Sequence, residues 1–208
     1  MKKGILIVIS GFSGAGKGTV LKELLTKHGD CYAVSISATT RDMREGEQEG
    51  VNYFYKTQET FEQMIAEDAF IEYAQYCGRY YGTPKKYVYE QIEAGKDVIL
   101  EIEVQGALKV KEKFPDTPIL FLTPPSAQEL QRRLLGRGRE SEEEIARRLK
   151  QAEVEAAYMP QYDFVVVNDV VEECAEELHE LITKLHTASA ARSELIQNIQ
   201  RELQELNQ

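Results

Sequence analysis

One segment constrains the fold of this chain more than any other, an apolar run that leads into a glycine-rich loop. The run Gly4–Ser10 reads GILIVIS, and its length and β-branched residues predict a strand buried on both faces of a parallel sheet. The loop that follows fits the pattern G-x-x-x-x-G-K and leads into an apolar-striped helix predicted over Thr19–His28. A strand, a glycine-rich turn and a helix in this order are typical of a phosphate-binding loop.

The loop itself consists of Gly11, Phe12, Ser13, Gly14, Ala15, Gly16, Lys17, Gly18 and Thr19. Glycines let several backbone N–H groups face one anion, and the helix that follows adds the positive end of its dipole. Lys17 adds a positive charge for the β- and γ-phosphates of a nucleotide. Gly18 stands where Ser or Thr usually follows the lysine, so the metal ligands are unassigned and Thr19 is the nearest candidate. The alternative is a glycine-rich turn without a ligand.

The rest of the chain alternates between strand and helix signals, which predicts an α/β fold with a mainly parallel sheet flanked by helices. Further strands are predicted at Ala33–Ser37, Asp97–Ile102, Pro118–Leu122 and Phe164–Val167, and helices near Pro84–Ala94, Val104–Phe114, Ser126–Leu135 and Glu142–Tyr158. Ser126 with Glu129, and Ser141 with Glu144, have the spacing of a capping box. No internal repeat interrupts this order.

Residues 37–84 break the alternation, and we interpret them as a lobe inserted into a core formed by about 1–36 and 85–188. The segment is rich in Tyr, Glu, Gly and Thr, yet it keeps apolar periodicity. It carries strand signals at Asn52–Tyr55 and Phe70–Gln75 and a helix signal at Thr57–Glu67. Apolar periodicity of this kind indicates a folded unit rather than a linker.

Composition excludes several classes of function. The 208 residues carry 25 Lys and Arg against 35 Asp and Glu, a formal charge of −10, which disfavours general binding to nucleic acid. The first apolar run is too short to span a bilayer and is not followed by a cleavage site, so we expect no membrane segment and a cytoplasmic protein. The three cysteines lie far apart, which argues against a disulfide framework or a zinc ribbon.

The inserted segment also carries candidate recognition residues. Arg41 and Arg44 lie three residues apart, close enough for both guanidinium groups to converge on one phosphate. Glu72 could accept hydrogen bonds from the N1–H and the exocyclic amine of guanine, a donor pair that adenine lacks. Taken singly, the arginines fit a solvated charge cluster beside nearby glutamates better than a phosphate site, and Glu72 also fits a solvent-facing position.

Several longer segments occur together in one order: G-F-S-G-A-G-K-G-T, S-A-T-T-R-D-M-R-E-G-E, F-I-E-Y-A, Y-Y-G-T-P, E-I-E-V-Q-G-A, G-R-G-R-E-S-E-E-E-I-A-R-R-L and V-V-V-N-D. In these segments, over about Gly4–Leu185, the chain resembles guanylate kinases. The resemblance implies a P-loop NTPase-type parallel sheet with a GMP-binding lobe and a helical lid at about 136–150. It also implies ATP and GMP as substrates and magnesium (Mg²⁺) as cofactor.

The resemblance also implies roles for individual residues. Arg41, Arg44, Tyr53 and Tyr81 would hold the GMP phosphate, Ser37, Glu72 and Thr83 would read guanine, and Glu103 would lie near GMP, where many members carry Asp. Lys17, Arg137 and Arg148 would be the catalytic cations, with Arg139 a weaker candidate, and Asn168 would lie near the adenine of ATP. Phe12 and Met43 depart from the family, which usually has proline at both positions.

Two rival functions and one open structural question remain from the sequence. The first rival is a non-catalytic guanylate-kinase-like binding module, which typically loses parts of the P-loop and lid that this chain retains. The second is another P-loop kinase or a small GTPase, although the N-K-x-D guanine reader of a GTPase is missing. Residues 189–208 form a helical extension whose apolar stripe consists of Leu195, Ile196, Ile199, Leu203 and Leu206. That stripe fits packing on the core, a homodimer or a frayed helix.

Overall fold

The computed structural model describes residues 3–76, 78–136 and 141–206. In chain order its elements are β1 (Leu6–Gly11), α1 (Lys17–His28), β2 (Tyr32–Val34), β3 (Ala38–Thr39), β4 (Phe54–Tyr55), α2 (Gln58–Ala66), β5 (Phe70–Tyr76), β6 (Arg79–Pro84), α3 (Lys85–Glu93), β7 (Asp97–Glu101), α4 (Val104–Lys113), β8 (Ile119–Thr123), α5 (Ala127–Leu135), α6 (Glu142–Ala156), a short 3₁₀ turn (Met159–Gln161), β9 (Phe164–Val167) and α7 (Val171–Leu206).

A five-stranded parallel sheet forms the core, in the order β2-β7-β1-β8-β9. Its three central strands are almost wholly buried, which is why they read as continuous apolar runs in the sequence. The α/β prediction is therefore confirmed. Because all strands are parallel, their carboxyl ends meet at one edge, where ligands of open α/β sheets bind. The glycine-rich loop follows β1 at the middle of that edge.

Phe12 is the first of the two departures from the family's prolines, and it packs into the core. Its ring meets Phe121 of β8 edge-to-face, with centroids 4.9 Å apart, and Phe121 meets Tyr162 in the same way at 5.1 Å. Such edge-to-face pairs add favourable energy beyond the burial of their area. Aromatic packing therefore ties the start of the loop to the sheet at a position where proline would do so by restricting the backbone.

Residues 37–84 form a second sheet of four strands, in the order β4-β3-β6-β5. The segment has its own apolar centre, in which the rings of Phe70 and Tyr80 stack on Phe61 at 4.4 and 5.2 Å. The sequence did not predict β3 or β6. A two-residue strand is too short to show alternation, and the tyrosines, glycine and proline of β6 resemble a turn.

The two proposed capping boxes have different outcomes. At the start of α6 the box is complete, because the Ser141 hydroxyl accepts from the Glu144 N–H and the Glu144 carboxylate accepts from the Ser141 N–H. At the start of α5 only half of it forms. The Ser126 hydroxyl accepts from the Glu129 N–H at 3.1 Å, but the Glu129 carboxylate binds arginine side chains of the next turn instead. A charged partner competes successfully with a backbone N–H.

The C-terminal helix α7 is a single helix of 36 residues that packs against α1. The predicted boundary at residue 188 lies inside this helix rather than at a break between two helices. Its far part leaves Leu195 and Ile199 well exposed. Within the described ranges, every helix is either too short or too polar to cross a bilayer.

Candidate functional site: a phosphate-binding loop and a carboxylate pocket

Lys17 lies in the cradle of the glycine-rich loop. Its ammonium donates hydrogen bonds to the carbonyl oxygens of Gly11 and Phe12, at 2.8 and 3.2 Å. The loop closes into α1 through N–H groups of the first turn that donate to the Gly16 carbonyl. A cation held at this position, at the N-terminus of a helix, creates a strong local preference for phosphate.

Asn168 holds the glycine-rich loop through a buried hydrogen bond. It follows β9, is only 2% exposed, and its amide donates to the Ala15 carbonyl at 2.8 Å. Gly16 has a φ of +89°, and a Cβ built there would lie 2.5 Å from the Asn168 amide nitrogen. Glycine is therefore required at this position on two grounds, backbone conformation and space. The adenine contact that the resemblance implies for Asn168 stays a prediction.

Helix α6, which carries the predicted catalytic residue Arg148, contacts the glycine-rich loop. Arg148 lies on α6, and its guanidinium donates to the Ser13 hydroxyl at 3.3 Å. This contact brings two residues 135 positions apart in sequence into one site. Arg137 and Arg139, the other predicted lid arginines, lie outside the described residues.

Three of the four predicted phosphate-binding residues of the lobe, Arg41, Tyr53 and Tyr81, lie next to one another. Arg41 lies over the ring of Tyr53, 5.3 Å from its centroid, and the rings of Tyr53 and Tyr81 are 6.0 Å apart. Arg44 follows on an exposed turn, next to Met43, which is also exposed. The sheet register places Tyr81 opposite Thr39, at the start of the arginine-bearing segment. The second family proline is thus replaced on the surface, where no packing depends on it.

The predicted guanine-reading carboxylate, Glu72 of β5, lines a pocket together with Lys109 and Lys113 of α4, whereas Ser37 and Thr83 are not among the residues that line it. Glu72 accepts a hydrogen bond of 2.8 Å from the hydroxyl of Thr83, which is fully buried on the neighbouring strand β6. Burial raises the pKa of Glu72, and the Thr83 hydroxyl and N–H offset part of that shift. Ser37, half-buried before β3, accepts through its carbonyl from the Phe54 N–H at 2.9 Å. The Glu72 carboxylate is therefore already held by Thr83 before any base binds.

Glu103 lies at the start of α4, exposed at the carboxyl edge of β7. Burial raises the pKa of Glu155 on α6, and the negative charge of Glu103 raises it further. The positive charge of Lys17 lowers it. Glu103, Glu155 and Lys17 therefore share one electrostatic environment. Thr19 is exposed on the first turn of α1.

Three polar residues of this region were not predicted from the sequence as part of the site. Arg133 of α5 donates to the carbonyls of Asn168 and Ala15, at 2.9 and 3.4 Å, and so supports the loop. Glu155 has no signal in the sequence beyond its place in a helix. Glu47 accepts from the Arg41 guanidinium at 2.7 Å, whereas the sequence suggested only a solvated charge cluster there.

Comparisons with known proteins agree with this geometry. The family model described as guanylate kinase matches residues 3–185. A guanylate kinase of Caldanaerobacter subterraneus subsp. tengcongensis is 54% identical over 181 residues, which are 87% of this chain and 87% of that relative. A guanylate kinase of Oceanobacillus iheyensis is 53% identical over 185 residues, which are 89% of each chain.

A solved structure supports the same grouping. The crystal structure of guanylate kinase from Anaplasma phagocytophilum matches with a TM-score of 0.66 and 32% identity, covering 88% of this chain and 86% of that one. The agreement of the core sheet, the phosphate-binding loop and the matches over most of the chain leads to one conclusion. The chain belongs to the guanylate kinase family.

Proposed function

We infer that this chain transfers the γ-phosphoryl group of ATP to GMP, giving ADP and GDP. The observation that carries this inference is the family match over residues 3–185, on a chain that keeps both a lysine-bearing phosphate loop and a carboxylate pocket. An oxygen of the GMP phosphate attacks the γ-phosphorus while the bond to the β,γ-bridging oxygen breaks. Little covalent chemistry is left to the protein, so positioning and charge neutralisation supply most of the catalysis.

On this proposal the ATP phosphates occupy the loop from Gly11 to Thr19. Lys17 would leave its two carbonyl partners, or share them, to neutralise the phosphates. Arg148 contacts the loop through Ser13, and we propose that its guanidinium binds the γ-phosphate there. Arg137 would be a second clamp. Asn168 would serve ATP through its bond to the Ala15 carbonyl and by a contact with the adenine.

GMP would occupy the lobe, with its phosphate at Arg41, Arg44, Tyr53 and Tyr81. We propose that guanine meets Glu72, with Ser37, Thr83 and Glu103 around the same nucleotide. The Thr83 hydroxyl donates to Oε1 of the Glu72 carboxylate, and because a carboxylate can accept several hydrogen bonds, the group keeps acceptor capacity for guanine. Adenine offers no N1–H to that group, which would leave a buried carboxylate under-satisfied. Such a mismatch is a strong basis for base selection.

Magnesium is the cofactor we propose. Mg²⁺ keeps most of its octahedral shell as water and phosphate oxygens, so it needs few protein ligands. The described residues fit this mode, since they contain no group of three or more His, Cys, Asp or Glu side chains able to hold a metal by themselves. Thr19, exposed on the first turn of α1, is the nearest hydroxyl. When bound, the ion would neutralise negative charge that develops on the phosphates during transfer.

The location and assembly of the enzyme complete the proposal. We propose a cytoplasmic enzyme, because the apolar run at the N-terminus forms the buried central strand β1 rather than a separable segment.

A homodimer is proposed through the far part of α7, where Leu195 and Ile199 are 59% and 45% exposed. Light scattering of the full chain and of a chain ending at residue 188 tests the assembly. A monomeric mass for both the full and the truncated chain would contradict the proposed homodimer.

The reaction is tested by ADP formation from MgATP with GMP, AMP, UMP or dTMP as the acceptor. Activity with GMP that is lost in Lys17→Ala supports the kinase and its base choice together. Activity that favours another acceptor would contradict the role of Glu72. A folded protein, checked by circular dichroism, that transfers phosphate to none of the four would instead be a binding module.

A further inference from the structure

Glu47 is bound by three partners at the phosphate end of the lobe. One carboxylate oxygen accepts from the Arg41 guanidinium at 2.7 Å. The other accepts from the backbone N–H of Arg44 and from the Tyr55 hydroxyl, each at 2.8 Å. The side chains of Glu47 and Arg41 are only 19% and 15% exposed. This is a fixed, partly buried network rather than the solvated charge cluster that the sequence suggested.

From this geometry we propose that Glu47 is a positioning residue for the GMP phosphate: it holds the guanidinium of Arg41 in the orientation that receives the phosphate. The proposal rests on the proposed function, which places Arg41 at that phosphate. A guanidinium group has five N–H donors. Arg41 donates one of these to Glu47 and one to the Asp42 carbonyl, each at 2.7 Å, and its guanidinium also forms a hydrogen bond with the Tyr55 side chain. The guanidinium group keeps further donors for an incoming phosphate.

Glu47 also fixes the turn that carries the second arginine. It accepts from the Arg44 N–H, and its own N–H donates back to the Arg44 carbonyl at 3.1 Å. One carboxylate therefore orients the Arg41 side chain and the Arg44 backbone together. Holding long, flexible side chains before the ligand arrives reduces the entropy that binding must overcome.

The opposite role, a carboxylate that competes with phosphate for Arg41, requires Glu47 to move away when GMP binds. Movement would break its bonds to Arg44 and Tyr55 as well as the ion pair. The Arg41 guanidinium and the Arg44 N–H lower the pKa of Glu47 to about 2, so the carboxylate stays ionised throughout the neutral range. A charged group with three hydrogen-bond partners is a stable support rather than a displaceable one.

The test compares steady-state kinetics of Glu47→Gln with those of Glu45→Gln, which makes the same charge change two residues away on an exposed side chain. We expect the KM for GMP to rise about tenfold in Glu47→Gln and to stay within twofold of the parent in Glu45→Gln. The KM for ATP should not change. The inhibition constant of guanosine, which fills the base pocket but has no phosphate, should also stay within twofold.

Two further variants keep the proposal falsifiable. Tyr55→Phe removes one partner of Glu47 without touching any charge, and it should raise the KM for GMP in the same direction by a smaller factor. In an Arg41→Lys background, adding Glu47→Gln should raise the KM for GMP by a smaller factor than it does in the parent, because only the support of the Arg44 turn is then lost.

The outcomes separate the proposal from its rivals. A lower KM for GMP in Glu47→Gln would mean competition and would overturn the positioning role. Parallel losses for GMP and guanosine would mean general damage to the lobe and would also overturn it. If Arg41→Lys alone leaves the KM for GMP unchanged, the placement of Arg41 at the phosphate fails. If Arg41→Lys raises that KM but Glu47→Gln does not, only the role of Glu47 fails.

Discussion

Replacing Glu72 with glutamine should separate base recognition from folding. The two side chains have nearly the same shape, so the variant removes the charge without creating a cavity. The amide oxygen of the new residue can accept from the Thr83 hydroxyl, as Glu72 does now at 2.8 Å. Its NH₂ group then faces the base, where it meets the N1–H of guanine, a donor facing a donor. The same NH₂ group can donate to N1 of adenine.

The expected size of the effect follows from the hydrogen bonds lost. A hydrogen bond to a charged group contributes about 1.5–3 kcal/mol, so the loss of one lowers kcat/KM for GMP about 10- to 150-fold. The kcat/KM for AMP should fall by a smaller factor than the kcat/KM for GMP, or rise. The ratio of kcat/KM between GMP and AMP therefore becomes smaller. The assay is coupled ADP formation at varied GMP and AMP, with the KM for ATP as an internal control. An unchanged kcat/KM for GMP in folded Glu72→Gln would refute the guanine assignment.

Although Glu72→Gln should lose activity with GMP, the folded variant should not lose stability at neutral pH. Burial raises the pKa of Glu72, so the ionised carboxyl is unfavourable in the folded state at neutral pH. The folded chain then binds this proton more readily than the unfolded chain. Its unfolding free energy therefore falls as pH rises from about 4.3, the ordinary glutamate value, through the raised pKa. Urea titrations should show Glu72→Gln at least as stable as the parent at pH 7, with the advantage lost at pH 4. A large loss of stability at pH 7 would contradict this reasoning.

The other predictions concern the loop, the lobe and the contact between lobe and core. Lys17→Ala should lower kcat at least 100-fold with little change in the KM for GMP, measured by ADP formation, and a smaller loss would remove Lys17 from catalysis. Phe61→Ala should cost about 3–5 kcal/mol in urea unfolding, because the ring is fully buried. Lys113 and Lys85 lower the pKa of Asp68 to about 2. Asp68 therefore stabilises the fold above the ordinary aspartate pKa, and this contribution disappears as pH falls towards 2. Asp68→Asn should flatten acid unfolding over that range, and an unchanged acid profile would count against the ion pairs.

The sequence allowed accurate prediction wherever local pattern and burial agree. Strands β7 and β8 are buried on both faces, so they appear as apolar runs close to their observed bounds. The run Phe164–Val167 matches the bounds of β9, but the expectation that this strand is buried on both faces is wrong, because β9 lies at the edge of the sheet and exposes Val165 and Val167. The lobe was predicted less completely. Strand β3 has only two residues and pairs with β6 more than forty residues away, so it leaves no local signal. Strand β6 pairs mainly with its neighbour β5, but its glycine and proline resemble a turn in the sequence.

Candidate site residues differ in the same way. The loop from Gly11 to Thr19 could be found because its chemistry is contiguous in sequence. The support that Asn168 and Arg133 give to the Ala15 carbonyl could not be found, since these residues lie 153 and 118 positions from the loop. Their contacts exist only because β9 and α5 end at the edge of the sheet where β1 ends.

By itself, the sequence determined the class of fold, the glycine-rich loop between β1 and α1, and the family, because each is encoded in short segments whose periodicity or spacing is sufficient. The tertiary structure decided which charged side chains act together. Glu47 looks like any acidic loop residue until the turn and β4 bring it to Arg41 and Tyr55. Glu72 could face solvent or a pocket until β6 places Thr83 beside it. Burial and distance set the strength of an electrostatic contact, and only the folded chain fixes either of them.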